Sequence, residues 1–151
     1  MKTHRRLIRS FILSIPFVLL VLFVPSPRAR AATFDLSTAT VADINAAFDA
    51  GALTAEKLVG LYLKRIETYD KQGPKVNCVI TINPNAVDQA RALDAERKAK
   101  GPRSPLHGLP VMIKDLIDVA GLPTTAGFKP FGAPVPKRDA TVVARLKDAG
   151  S

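Results

Sequence analysis

The 151-residue chain has no tryptophan, one cysteine and two histidines, and each scarcity excludes a kind of protein. Cys78 has no second cysteine to pair with, so an intrachain disulfide framework is impossible. His4 and His107 fall far apart, and no C-x-x-C or H-x-x-x-H spacing occurs, so the usual donor sets of metal sites are missing. A glycine-rich phosphate loop is missing too. No cofactor is expected. Repeats and low-complexity tracts are equally lacking, which leaves the chain after its leader as part of one domain.

Acidic residues are lacking altogether from residues 1 to 31, which carry six of the 22 basic residues. Lys2, Arg5, Arg6 and Arg9 precede an apolar run of 14 residues, 11 to 24, and Ala29-Arg30-Ala31 supplies a small-x-small pattern. This is the pattern of a secretory signal peptide cleaved between Ala31 and Ala32. An uncleaved anchor fits less well, because a spanning helix needs about 20 apolar residues, whereas this run is shorter and contains Pro16. Arg5-Arg6 leaves twin-arginine export open beside the general secretory route. The mature part, residues 32 to 151, is then expected to be secreted or periplasmic, with no stable membrane association. Removing the six leader cations from 22 leaves 16 basic against 13 acidic residues, a net charge of +3 in place of +9. With no basic stripe carrying interleaved aromatics, no nucleic-acid partner is expected. The one basic cluster, Arg97, Lys98, Lys100 and Arg103, reads as a solvated helix end favoured by the helix dipole.

Apolar spacing in the mature part predicts helices and strands in alternation, an α/β order. Val41, Ile44, Ala47 and Phe48 outline a short helix closed by Gly51. Thr54 is placed to cap a second helix, with Glu56 in its first turn and Leu58, Leu61, Tyr62, Arg65, Ile66 and Tyr69 at helical spacing until Gly73-Pro74. Val76 to Ile82 alternates like a strand and puts Cys78 opposite the Val79 face, as a small buried thiol. Asn83-Pro84 then opens a helix reaching Lys100, with Val87, Ala90 and Leu93 inward. Between Gly101 and Pro136 the many prolines and glycines predict loop, interrupted by a strand over Val111 to Lys114. Asp139 is placed to cap a last helix, with Ala140, Val143 and Leu146 on one face and Gly150 at its end.

Residues 106 to 115 read L-H-G-L-P-V-M-I-K-D, so Lys114 ends an apolar run. Burial on a strand disfavours the ammonium and moves the amine toward the neutral form that acts as a base. Plain ion pairing of Lys114 with Asp115 or Asp118 at a strand end suits the position equally. Asp115, on the opposite face of such a strand, is read as a partner of backbone groups or of Thr124 or Thr125. Further on come D-V-A-G-L-P-T-T-A-G over 118 to 127 and R-D-A-T-V-V-A-R-L-K-D-A-G over 138 to 150.

These three segments, in this order and spacing, resemble the N-terminal part of the amidase signature family of serine hydrolases; the likeness runs from residue 35 to 150. The resemblance implies an α/β fold, the N-terminal portion of an α/β/α layered architecture with a mixed sheet, incomplete here. It implies Lys114 as the general base at the far end of a Ser, cis-Ser, Lys triad. Thr125, Ala126 and Gly127 are implied as an edge of the substrate site, where small residues let backbone approach. Many family members have a small residue after that glycine, where this chain has Phe128, whose bulk changes the pocket or packs locally.

In the family, the cis-serine lies in a later Gly-Gly-Ser-Ser-Gly-Gly-like loop, and the nucleophile lies in a further glycine-rich loop that forms the oxyanion hole. Residues 32 to 151 hold only Ser37, Ser104 and Ser151, none in a G-x-S-x-G setting. They are therefore expected to be the N-terminal part of a truncated amidase domain, inactive alone and acting on a small-molecule amide once completed. There, neutral Lys114 takes a proton from the cis-serine, which takes one from the attacking serine; an acyl-enzyme forms and ammonia or an amine leaves. Alone, strand edges and apolar helix faces are expected to face water. The alternative is a noncatalytic exported binding module on the same scaffold. An amidotransferase working on charged tRNA shares the signature but is cytosolic, which the leader opposes.

Fused to a reporter, residues 1 to 31 are expected to direct secretion and be removed. Mass spectrometry of the exported product checks this, and an N-terminus at Met1 or retention in carbonate-washed membranes would refute cleavage.

Overall fold

The first helix starts by a reciprocal arrangement. The Asp43 N–H donates to the Thr40 hydroxyl at 3.2 Å while the Thr40 N–H donates to Asp43 Oδ2 at 2.9 Å, a capping box that opens α1 (Val41–Asp49). The computed structural model describes residues 35–151. The expected signal peptide over 1–31 and its cleavage site lie outside the described residues. In α1, Ile44 and Phe48 stand one turn apart and both are buried.

Thr54 caps α2 (Ala55–Arg65) as expected, its hydroxyl accepting from the Lys57 N–H at 3.1 Å. A second cap comes from outside the helix. Asp94, on α3 (Ala86–Lys100), accepts from the Ala55 N–H at 2.7 Å and the Glu56 N–H at 3.0 Å. A carboxylate thus meets two orphan donors at the positive end of α2 and ties the two helices together. Between them lies the apolar cluster, with Leu58 at its centre and Ala55, Val59, Ala90, Leu53 and Leu109 around it. Leu61 and Tyr69, expected on the same stripe, are exposed. Leu61 falls on the flank of the helix. Tyr69 lies within a π-helical turn, Ile66–Lys71, whose wider winding shifts the register, and the Arg65 guanidinium stands 5.3 Å from its ring centroid.

The two expected strands, Val76 to Ile82 and Val111 to Lys114, do not form; among the described residues there is no strand. For the first the reason is local. Lys75 and Asn77 adopt left-handed φ values of 53° and 52°, which break an extended run. The N–H groups of Cys78 and Val79 donate to the Asp70 carboxylate at 2.6 and 3.3 Å, so a side chain occupies donors that a neighbouring strand would otherwise take. The Cys78 thiol and the Lys71 ammonium join them and hold the Asp70 carboxyl down to about 2, against the opposing effect of burial. Cys78 is exposed rather than buried, and Asp70 pushes its thiol up from the ordinary value. For the second run, no segment pairs with it among the described residues, and Val111 and Met112 are exposed.

Two helix starts also differ from expectation. Asn83 does not cap α3; its carbonyl accepts from the Asn85 N–H at 3.0 Å and its amide donates to Gln89 at 2.8 Å, so the helix begins at Ala86. Asp139 does not cap α4 (Thr141–Asp148). It accepts instead from the Ala120 N–H at 2.8 Å and from Lys147 at 2.9 and 2.8 Å.

The basic cluster on α3 is structural at two of its four positions. Arg97 donates to Asp49 at 3.0 Å, Asn45 at 3.0 Å and the His107 carbonyl at 3.1 Å, with its guanidinium 4.9 Å from the Phe48 ring centroid. Arg103 forks onto Glu96 at 2.7 and 2.5 Å. Lys98 and Lys100 remain outside the buried core, as a solvated helix end requires. The sequence pattern missed Arg97 because its partners lie on other elements.

His107 is wholly buried in the turn between α3 and the proline-rich loop. The Arg103 N–H donates to Nδ1 at 3.2 Å, so Nε2 carries the hydrogen and meets the Leu93 carbonyl at 2.9 Å. Gly150 packs on the ring with φ 91°; a Cβ there would come within 2.7 Å of Nδ1, so only glycine fits.

Replacing Asp94 by Ala is expected to destabilise the chain by about 1–3 kcal/mol, since both α2 donors lose a charged acceptor. Asp94→Asn, which keeps one acceptor oxygen, should cost less. Urea denaturation of the two variants checks the order.

Candidate functional site

Lys114 and Asp115 sit on an irregular stretch after Pro110, followed by a turn closed by the Ile117 N–H on the Lys114 carbonyl at 2.9 Å. The expected burial of Lys114 is corrected: its side chain is exposed, and without a strand there is no sheet to bury it. Pairing with Asp115 or Asp118 does not occur either, since among the described residues Lys114 forms no ion pair.

Asp115 is engaged by the 125–127 loop, in keeping with its expected role toward backbone groups or Thr125, although no strand sets the two side chains on opposite faces. Its Oδ1 accepts from the Thr125 N–H at 3.1 Å, and its Oδ2 accepts from the Thr125 hydroxyl and from the Gly127 N–H at 3.0 Å. The Ala126 N–H donates to the Asp115 backbone carbonyl at 2.8 Å. The Thr125 hydroxyl, then the Thr125 and Gly127 N–H groups, hold the Asp115 carboxyl below its ordinary value, with burial opposing. The three small residues expected at a substrate edge are therefore brought together, and they are joined to the segment that carries Lys114. Ala126 is left-handed at φ 53°, a conformation that costs an L residue about 1–2 kcal/mol. Nothing in the sequence pattern signals that strain.

Thr125 and Ala126 also line an open depression of about 380 Å³ with Leu116, Asp118, Thr124, Phe131, Pro134, Val135 and Pro136. Gly127 and Lys114 are not in its lining. Phe128 packs edge-on against Phe131, ring centroids 5.6 Å apart, and both remain exposed. The serine hydroxyls of Ser104 and Ser151 donate to the backbone carbonyls of Ala149 and Leu109 at 2.7 and 2.9 Å, so neither is held as a nucleophile beside a base. No group of three or more side chains able to hold a metal occurs among the described residues.

Residues 57–151 match the model of the Amidase family, and the chain belongs to that family. It is 43% identical over 122 residues to a probable amidase of Arabidopsis thaliana, covering 79% of this chain and 23% of that protein. Over 116 residues it is 39% identical to a glutamyl-tRNA(Gln) amidotransferase component of Bdellovibrio bacteriovorus, covering 77% of this chain and 23% of the relative. Its fold is similar to that of native peptide amidase from Stenotrophomonas maltophilia, with a TM-score of 0.71 and 39% identity over 78% of this chain and 24% of the other. The chain thus spans about a quarter of the length of the relatives it matches.

A carboxyl held low in the folded chain contributes stability that is present above its unfolded value and lost as pH falls through the folded one. The Asp115 anchor is therefore expected to survive at pH 4 and to release the Thr125 and Gly127 amides only below 3.8, the ordinary value. NMR titration of those two amides checks this, and in Thr125→Val the midpoint should move up toward 3.8.

Proposed function

We propose that residues 32 to 151 form the N-terminal, lysine-bearing part of an exported amide hydrolase, with Lys114 the general base of a Ser, cis-Ser, Lys triad. The observation that carries the reading is the disposition of the two neighbouring charges. Asp115 is engaged by Thr125 and Gly127, whereas Lys114 is exposed and forms no ion pair among the described residues. A lysine held by a carboxylate keeps its proton; one released from it can be desolvated and made neutral by further packing. Family membership and the peptide amidase likeness support amide hydrolysis as the chemistry.

In this proposal, the apolar segments Val76 to Ile82 and Val111 to Lys114 join a mixed sheet completed by later segments of the α/β/α fold. Their exposure supports that, with Val76, Ile80 and Met112 each more than half exposed. The same packing supplies the low-dielectric surroundings that Lys114 needs. The substrate is a small-molecule amide approaching along Thr125, Ala126 and Gly127, and the reaction calls on no cofactor.

The test uses an amidase assembled from this chain and a family C-terminal part. Lys114→Ala is expected to lower turnover by a factor of about 10² to 10⁴, the range for losing a general base. Lys114→Arg should not rescue it, because a guanidinium does not give up its proton. Residues 32 to 151 by themselves should release no ammonia from simple amides, lacking nucleophile and oxyanion hole. An active Lys114→Arg enzyme overturns the assignment and favours the noncatalytic scaffold.

A further inference from the structure

We infer that Asp115 is a positioning residue: it fixes the Thr125–Gly127 edge of the substrate site to the base-bearing segment, and its carboxylate serves that loop instead of acting as the Lys114 counter-ion. The inference rests on the reading of Lys114 as a base.

The geometry is that of an anchor. Three donors from two residues of the loop converge on one carboxylate, and a fourth bond joins the Ala126 N–H to the carbonyl of the same aspartate. A carboxylate offers about four lone-pair sites, so little acceptor capacity remains for an ammonium. The loop needs such an anchor, because Ala126 at φ 53° occupies a region that relaxes toward other conformations unless its surroundings hold it. The Thr125 hydroxyl donates to Asp115 and accepts from the Gly127 N–H at 3.1 Å. Its hydrogen is therefore committed, and the Thr125 side chain supports the edge instead of reaching for substrate.

Other charges near the loop have places of their own. Asp139 is paired with Lys147 at 2.8 Å. Lys137 and Arg138 follow Pro136 of the depression's wall, and Asp118 lines the depression beside Thr124 and Thr125. Asp118 is the other carboxylate close to Lys114 in the chain, four residues on, and forms no ion pair with it, so Asp118→Asn, expected to leave the pH midpoint in place, serves as the control.

In the assembled amidase, Asp115→Asn is expected to raise KM on the order of tenfold with a smaller loss in kcat, as a displaced substrate edge would. The pH midpoint at which activity appears should move by less than about 0.3 of a pH unit at about 0.15 M salt, because the lost charge is not in direct contact with the lysine. Adding Ala126→Gly should recover part of KM, since glycine holds a positive φ without an anchor. A fall in that midpoint of about 0.7 of a pH unit or more, with KM unchanged, would make Asp115 the counter-ion and overturn the inference. Unaltered KM and midpoint together overturn it too. If Asp115→Asn fails to assemble, amide exchange in the chain itself decides: loss of protection at Thr125 and Gly127 in Asp115→Asn, retained in Thr125→Ser, supports the anchor, and unchanged protection rejects it. Lys114→Arg, measured alongside, separates the two levels. Its activity sinks the base reading, while the exchange result still judges the anchor.

Discussion

Everything around the site depends on one buried imidazole. A polar ring with no access to water is tolerated only when both nitrogens have partners, and His107 has the Leu93 carbonyl on one side and the Arg103 N–H on the other. Its own carbonyl takes Arg97, which also reaches Asn45 and Asp49 on α1. The next residue donates to the Gly150 carbonyl at 2.8 Å, and Ser151 bonds the Leu109 carbonyl. The turn from Arg103 to Leu109 is therefore fastened to α1, α3 and the end of α4 at once. The chain leaves this point toward Lys114 from a fixed place.

Carboxylates do elsewhere what a sheet ladder does in other α/β chains. Asp94 caps α2 from α3, Asp70 gathers the 78–79 backbone, Asp139 takes the Ala120 N–H, and Asp115 takes the Thr125 and Gly127 N–H groups. Each gives backbone donors a charged acceptor, which is a stronger partner per bond than a neutral carbonyl. The apolar side chains of Val76, Ile80, Ile82, Val111, Met112 and Leu116 find no such substitute and stay in water.

That division bears on chemistry. Joining Asp115 to the 125–127 loop separates the charge beside Lys114 from Lys114 itself, and it ties the expected substrate edge to the expected base. The lysine is exposed among the described residues, so the desolvation that a lysine base requires belongs, in our proposal, to the assembled enzyme.

Sequence by itself determined what is local. Thr54 as a cap, the Ile44 and Phe48 face, and the end of α3 at Lys100 all follow from periodicity and short-range hydrogen bonding. The family is legible in the same way, because its signature segments are contiguous. Tertiary structure decided the rest. Val76 to Ile82 and Val111 to Lys114 alternate or run apolar, but a strand needs a neighbour to pair with, and no pattern within the segment supplies one. Asp139 looks like a cap and is taken by Lys147 and Ala120; Arg97 looks like a solvated cation and is drawn inward by Asn45, Asp49 and Phe48. The left-handed turn at Ala126 depends on an anchor about ten residues away in the chain. Long-range partners settle such choices because a charged or extended residue takes the state in which its hydrogen bonds are met, and those donors and acceptors arrive only when the chain folds.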